Sequence, residues 1–178
     1  MWVHEPDPAL GHWPLITAVC RARSVRRYLE IGVQEGRSLD AALDAGTIET
    51  LVLIDPWGDR YGGTGRGSHA HIAARLTERG YTGDVTYFDE ASHAVLPRLH
   101  ALRVDLIHID GDHSYAGAFR DLGGSRRLTD LILIHDVIDP HNPEVGPAVS
   151  TFLQSTPGWE SRLFRGEPEG TMLLWRTP

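Results

Sequence analysis

The sequence predicts an α/β protein with a Rossmann-like, three-layer α/β/α sandwich. Short apolar segments, such as 51–54 and 131–134, alternate along the chain with segments whose apolar residues recur at helical spacing. This alternation is typical of right-handed crossovers between parallel strands that are covered on both faces. The last two strand segments, 161–164 and 171–175, lie too close together in the chain for a crossover helix. We therefore expect a mostly parallel sheet with an antiparallel edge hairpin at the C-terminus.

The length of the chain predicts one domain, residues 1–178. The net charge of −7 disfavours binding to nucleic acid or to an anionic membrane, because phosphate groups would repel the chain. No apolar run reaches the roughly 20 residues of a membrane helix, and the first residues lack a signal-peptide pattern. The single cysteine, Cys20, excludes a disulfide within the chain. We expect a cytoplasmic protein.

Short apolar runs predict the strands, and apolar residues at helical spacing predict the helices. Residues 1–13, with Pro6 and Pro8, predict an irregular N-terminal arm. The predicted helices are 14–23, 38–45, 69–79, 92–102, 115–122 and 145–154. The predicted strands are 25–31, 51–54, 85–88, 104–109, 131–134, 161–164 and 171–175. The glycine-rich segment 58–68 predicts a loop after the second strand.

The first strand leads into a tight turn between Gly32 and Gly36. Glycines at these positions let the chain turn sharply and approach a ligand closely before a helix begins. A dinucleotide-binding turn has a third glycine between them, where this chain has Gln34 and Glu35. Carboxylates here, with Glu30 beside them, would repel a pyrophosphate and suit a cationic ligand such as a sulfonium with a free amino group. The alternative is a turn that binds nothing.

The next two strand ends carry candidates for recognition of a nucleoside. Asp55 closes the second strand, where an acidic residue typically accepts both hydroxyls of a ribose; the alternative is a capping residue in an Asp-Pro turn. Trp57 lies close enough to stack on an adenine, or else packs beneath the following loop. Ser92 lies in a short polar segment after the third strand. This segment either binds the adenine amino group, or Ser92 caps a helix.

The ends of the fourth and fifth strands carry the most carboxylate and imidazole side chains. The segment 108–115 holds two carboxylates and two imidazoles, including Asp110 and His113. Adjacent parallel strands would bring Asp110 close to His135 and Asp136, which close the fifth strand. Two carboxylates and an imidazole suit a divalent cation with open positions for a substrate. The alternative is that Asp110 only holds the ligand while His135 packs under a loop.

Together these strand ends resemble the class I S-adenosylmethionine-dependent methyltransferases. Within that class the chain is similar to the small-domain group related to macrocin O-methyltransferase and other natural-product O-methyltransferases. The resemblance covers residues 24–155. The segments that carry it are Glu-Ile-Gly-Val-Gln-Glu-Gly at 30–36, Ile-Asp-Pro-Trp at 54–57, Leu-Ile-His-Ile-Asp-Gly-Asp-His-Ser-Tyr at 106–115 and Leu-Ile-His-Asp at 133–136.

The resemblance implies S-adenosyl-L-methionine as the cofactor. Glu30, Gly32 and Gly36 would surround its methionine part, and Asp55 would bind its ribose hydroxyls. Ser92 or its neighbours would lie near the adenine. Asp110 matches the aspartate that closes the fourth strand in the family.

The resemblance also implies a divalent cation, Mg²⁺ or Mn²⁺, on Asp110, His135 and Asp136. In metal-dependent relatives, carboxylates at the positions of Asp110 and Asp136 hold magnesium beside the acceptor hydroxyl. His135 departs from the pattern, since relatives often have a carboxylate or an amide there. Imidazole favours softer ions than Mg²⁺, so the departure puts magnesium in doubt.

The expected activity is methyl transfer to a hydroxyl of a small-molecule or glycosidic acceptor in natural-product biosynthesis. His113 is the first candidate for the general base, because an unperturbed imidazole titrates near neutrality, and His135 is the second. The alternatives are an NAD(P)-binding Rossmann enzyme and a catalytically silent binding module. The chain is short for this family, so the arm 1–13, the 58–68 loop or the second subunit of a homodimer would have to close the acceptor pocket.

Overall fold

The computed structural model describes residues 6–58 and 67–177, and in these ranges it confirms the predicted sandwich. Seven strands form one sheet between two layers of helices. The strands are β1 Arg27–Ile31, β2 Thr50–Ile54, β3 Asp84–Phe88, β4 Leu106–Ile109, β5 Leu131–Ile134, β6 Trp159–Phe164 and β7 Thr171–Arg176. The helices are α1 His12–Ala22, α2 Arg37–Leu43, α3 His69–Glu78, α4 Ser92–Val95, α5 Tyr115–Ser125 and α6 Val145–Ser155.

The strand order places a crevice at the centre of the sheet. The order is β3-β2-β1-β4-β5-β7-β6, with β1 to β5 parallel and β7 antiparallel to both β5 and β6. The chain runs outward from β1 to β3 and then returns to β4 on the other side of β1. At such a switch point the helices on either side diverge, and ligands bind at the carboxyl ends of the strands. Ile31 pairs with both Ile54 and Ile109, so three of these ends lie level.

Each face of the sheet has its own apolar core. Residues of α1, α2 and α3 pack with one set of alternating strand residues, represented by Tyr28, and residues of α5 and α6 pack with the other set, represented by Leu29. Because the central strands are buried on both faces, they read as continuous apolar runs in the sequence. Burial of each large side chain stabilises the fold by roughly 1.5–3 kcal/mol.

Several predicted boundaries were wrong by two or more residues, and two of these errors bear on the site. Helix α1 already begins at His12, so the last two residues of the predicted arm are helical, and residues 1–5 lie outside the described ranges. The predicted helix 92–102 stops after Val95 and continues as a 3₁₀ turn, Leu96–Leu99. Pro97 explains the break, because proline has no N–H to donate in a helix interior.

The structure also bears on the loop and membrane predictions. Most of the glycine-rich segment 58–68, namely 59–66, lies outside the described ranges, so its part in closing the site stays a prediction. Within the described ranges, the helices are all too short or too polar to cross a lipid bilayer.

Candidate functional site

A cleft of about 710 Å³ opens at the carboxyl ends of β1, β2 and β4. Its walls also include the start of α4 and one side of α5. The lining residues that matter most below are Gly32, Gln34, Asp55, Trp57, Ser92, Asp110, Asp112, Arg120 and Asp121.

The turn after β1 can be built only with glycine at position 32. Gly32 has φ +83°, and a Cβ there would lie 1.9 Å from the backbone oxygen of Asp110. The turn therefore packs directly against the end of β4. Gly36 has φ +80° and precedes the first residue of α2. The structure thus gives both predicted glycines a conformational reason, while contact with a cofactor stays a prediction.

Unusual backbone conformations are concentrated at the strand ends. Four described non-glycine residues have positive φ, and three of them, Gln34, Trp57 and Asp136, follow β1, β2 and β5. The left-handed conformation costs such residues about 1–2 kcal/mol. Strain of this kind is more frequent at ligand sites than elsewhere.

Asp55 ties the end of β2 to the glycine turn. Its Oδ2 accepts hydrogen bonds from the backbone N–H of Val33 at 2.8 Å and of Gln34 at 2.9 Å. Its Oδ1 accepts from the N–H of Trp57 at 2.7 Å. The Trp57 indole lies at the cleft and is held by a 2.6 Å hydrogen bond from Nε1 to Asp89. Asp55 therefore shapes the cleft as well as lining it.

Ser92 and a residue that the sequence reasoning missed, Asp121, form the far wall of the cleft. The Ser92 hydroxyl donates a 2.6 Å hydrogen bond to Oδ1 of Asp121. Oδ2 of Asp121 is buried and has no partner among the described residues. Burial, with the nearby Asp112 carboxylate, raises the pKa of Asp121 to about 7. Its position on the buried side of α5, one residue before Leu122, was the available sequence signal.

Glu30 is not at the cleft, which corrects its expected place beside the cofactor. Its side chain is fully buried, where Oε1 accepts a hydrogen bond from the Ser38 hydroxyl and lies 3.4 Å from Nδ1 of His108. The alternation of β1 explains this, because Glu30 shares a face with Tyr28 and that face packs against α1 and α2.

A row of histidines continues from this buried carboxylate to the end of β5. Nε2 of His108 lies 2.8 Å from Nε2 of His12, and the His12 ring stacks on that of His135 with centroids 3.9 Å apart. Burial, together with His108 and His135, lowers the pKa of His12 to about 3. His12 was missed because it is separated from His108 by 96 residues and no local pattern links them.

His135 lies among three carboxylates. Its Nδ1 is 3.0 Å from Asp136 and 3.5 Å from Asp110, and its Nε2 is 3.3 Å from Glu167. Burial opposes a charged ring, but the hydrogen bonds to these carboxylates outweigh it and raise the pKa of His135 to about 12. The structure thus brings Asp110, His135 and Asp136 together as predicted, and adds Glu167.

His113 faces the same carboxylates from the loop before α5. Its Nε2 lies 3.4 Å from Asp110 and 3.3 Å from Asp136. Burial lowers the pKa of His113, but Asp110 outweighs it and the net direction is upward. Burial raises the pKa of Asp110, whereas His113 and His135 hold it well below its usual value.

A second cavity, of about 980 Å³, adjoins the cleft. The two share Gly32, Gln34 and Asp110. Its other walls include His12, Trp13, Glu35, Arg37, His135, Glu167 and Glu169. Two ligands can therefore approach each other over the ends of β1 and β4.

Among the described residues, possible metal-ligand atoms converge in two groups. One consists of His12, Asp110 and His135, and the other of Asp110, His113 and Asp136, with the atoms of each group within 4.8 Å of one another. The predicted trio is divided, since His135 belongs to the first group and Asp136 to the second.

Comparison with known proteins identifies the family. Residues 29–137, more than half of the chain, match the model of a family described as a methyltransferase domain. The chain belongs to this methyltransferase family. The match spans β1 to β5 and therefore every strand end that lines the cleft. No curated protein matches the sequence.

Solved methyltransferases share the whole fold. An O-methyltransferase from Bacillus cereus, in complex with SAH, has a TM-score of 0.72 at 14% identity, covering 98% of this chain and 84% of its own. TomG, an O-methyltransferase from Streptomyces achromogenes involved in tomaymycin synthesis, in complex with SAM, has a TM-score of 0.66 at 22% identity, with coverage of 97% and 83%. A methyltransferase from Geobacter sulfurreducens has a TM-score of 0.67 at 16% identity, with coverage of 96% and 81%.

Proposed function

We propose that this protein transfers the methyl group of S-adenosyl-L-methionine to a hydroxyl group of a small-molecule or glycosidic acceptor. The observation that carries the proposal is the charge of the cleft. Asp55, Asp110 and Asp112 line it, with Asp121 adding a further negative charge above about pH 7, against one described arginine, Arg120. This balance favours a ligand with a sulfonium and an ammonium group and disfavours the pyrophosphate of NAD(P).

The shared fold supports the same cofactor. The B. cereus enzyme is in complex with SAH and TomG with SAM, and both have the architecture of this chain. We place the adenosine between Asp55 and Asp121 and the methionine part near Gly32. TomG's involvement in tomaymycin synthesis supports a natural product as the acceptor.

The reaction is a one-step in-line displacement. A bond forms between the acceptor oxygen and the methyl carbon while the carbon–sulfur bond breaks, and its electron pair stays on sulfur to give neutral S-adenosylhomocysteine. The protein acts mainly by holding oxygen, carbon and sulfur in line. We assign the cleft to the cofactor and the second cavity to the acceptor, because they meet at Gly32 and Asp110.

His113 is proposed to take the proton of the acceptor hydroxyl. Its Nε2 faces Asp110 and Asp136, and these carboxylates stabilise the imidazolium that forms. His135, the second candidate, already has both ring nitrogens opposite carboxylates. This makes it less available than His113 as a base.

The site also suits a divalent cation. Bound beside the acceptor, such an ion would lower the pKa of the hydroxyl. Asp110, His135 and Asp136 were the predicted ligands. Asp110 converges with His135 in one group of ligand atoms and with Asp136 in the other. The donor set fits Mg²⁺ poorly, since Mg²⁺ takes oxygen ligands and both groups of converging atoms include imidazole.

Calorimetry followed by a transfer assay tests the proposal. The full chain is titrated with S-adenosylmethionine, S-adenosylhomocysteine and NAD⁺, and labelled methyl transfer is then measured on a panel of phenolic, glycosidic and aliphatic hydroxyls. We expect both adenosyl ligands to bind and at least one hydroxyl class to be methylated. Binding of NAD⁺ alone would establish the dinucleotide alternative. Cofactor binding without methylation of any acceptor would favour a silent module.

A further inference from the structure

We infer that His12, Asp110 and His135 form a site for a first-row transition-metal dication rather than for Mg²⁺. Two imidazoles from α1 and from the end of β5 meet one carboxylate from the end of β4, with ligand atoms within 4.8 Å of one another. The inference rests on the proposed function only for the role of the ion beside the acceptor.

The chemistry of the donors selects the ion. Mg²⁺ is a hard cation that keeps water and carboxylate oxygens as ligands. Two imidazoles and one carboxylate suit Mn²⁺, Fe²⁺, Co²⁺ or Zn²⁺, and a set of three ligands leaves coordination positions open for a substrate. The sequence analysis did not include His12. With it, the ligand set changes from one imidazole and two carboxylates to two imidazoles and one carboxylate.

A buried supporting row orients His12. Glu30 and His108 are fully buried, and Nδ1 of His108 lies 3.4 Å from Oε1 of Glu30. The carboxylate favours the proton on that nitrogen, so we assign Nε2 of His108 as the acceptor and Nε2 of His12, 2.8 Å away, as the donor. The lone pair of His12 then lies on Nδ1, the nitrogen that we assign to the cation. Metal-binding histidines are commonly oriented by such a second hydrogen bond.

The position of the site also fits the reaction. His12, Asp110 and His135 all line the second cavity, which we assign to the acceptor. The carboxylate of Glu167 lies on the far nitrogen of His135, at 3.3 Å, and so provides that ring with its own orienting partner. The remaining His113 is left in the second group, available as the base.

Metal binding by the full chain after chelator treatment tests the inference. Calorimetry with Co²⁺, Zn²⁺, Mn²⁺ and Mg²⁺ measures selectivity, and the visible absorption of bound Co²⁺ reports its ligands. We expect Co²⁺ and Zn²⁺ to bind roughly a hundredfold more tightly than Mg²⁺. His12→Ala should weaken Co²⁺ binding by roughly tenfold or more and change its spectrum.

Two further variants keep the result interpretable. His12→Gln retains a donor for His108 and should also weaken Co²⁺ binding, which covers the case in which the alanine variant does not fold. His71→Ala, at an exposed position of α3, is the matched control and should leave Co²⁺ binding unchanged. Equal affinity for Mg²⁺, or Co²⁺ binding that depends on His113 and not on His12, would overturn the inference.

Binding of S-adenosylmethionine, measured on the same preparations, separates this inference from the proposed function. Cofactor binding and methyl transfer without a His12-dependent metal would refute the inference and leave the proposed function intact. Co²⁺ binding that depends on His12, in a protein that does not bind the cofactor, would support the inference and refute the proposed function.

Discussion

Asp55 fixes Val33 in place, with Oδ2 accepting a 2.8 Å hydrogen bond from the Val33 backbone N–H. The same oxygen accepts from Gln34, and the other oxygen accepts from Trp57. One carboxylate therefore satisfies three backbone donors on two sides of the cleft. The shape of the glycine turn after β1 therefore depends on a residue of the neighbouring strand.

Asp55→Asn should weaken cofactor binding by roughly tenfold or more. An amide has a single acceptor oxygen, so either the pair at Val33 and Gln34 or the donor at Trp57 loses its partner, at about 1–3 kcal/mol. Calorimetry with S-adenosylmethionine measures the loss. Asp130→Asn, at a side chain that is 73% exposed, is the control. Equal affinities for the two variants would show that Asp55 does not shape the turn.

Gly32→Ala should be far more destabilising than Gly46→Ala. Both glycines have positive φ, but a Cβ at Gly32 would collide with the Asp110 backbone, whereas one at Gly46 meets nothing within 4 Å. The Gly46 variant carries the backbone strain alone, about 1–2 kcal/mol. Denaturant unfolding of both variants isolates the effect of the collision. Similar losses of stability would mean that the turn does not pack against β4 as described.

Asp121→Asn should stabilise the protein at alkaline pH. Burial raises the pKa of Asp121 from 3.8 to about 7, so the folded state holds this proton more tightly than the unfolded chain. The resulting stability is complete below about pH 4 and is lost as the pH rises to about 7, a change of up to about 4 kcal/mol. The asparagine variant does not titrate there.

Unfolding free energies at several pH values check this prediction. The difference between the Asp121 variant and the parent protein should grow in the variant's favour between about pH 4 and 7 and then level off. Asp130→Asn, the exposed control, should follow the parent protein. A difference independent of pH would show that Asp121 is ionised throughout.

His113→Ala should lower the rate of methyl transfer by roughly a hundredfold or more and leave cofactor affinity unchanged. His113 is not among the residues that line the cleft that we assign to the cofactor. Because Asp110 raises the pKa of His113, the rate of the parent protein should increase with pH through a pKa above 6.5. His100→Ala, at an exposed position, should keep this profile. The same profile in the His113 variant would exclude it as the base.

The sheet could be predicted because its strands are locally encoded. Apolar runs such as 131–134 and the residues that end them identify each strand and the edge at which side chains meet. The proximity of Asp110, His135 and Asp136 could therefore be predicted from the adjacency of β4 and β5. The predicted helix 92–102 was wrong because its apolar residues have helical spacing, but Pro97 interrupts the helix.

The rest of the site depends on packing between distant segments. His12 meets His108 only because α1 packs against the same face of the sheet, and Glu167 reaches His135 from the connection before β7. Glu30 was misplaced because a strand residue next to a turn can face either layer, and only the packed helices decide which. Asp121 was visible as a polar residue on an apolar helix face, but its hydrogen bond with Ser92, 29 residues away in the chain, was not.

A crystal structure of the protein with S-adenosylmethionine tests the central claim most directly. We predict that the adenosine lies in the cleft between Asp55 and Asp121 and that the sulfonium lies near Gly32 and Asp110, with its methyl group directed towards the second cavity. A cofactor bound outside this cleft, or one whose methyl group is directed away from that cavity, would contradict the account.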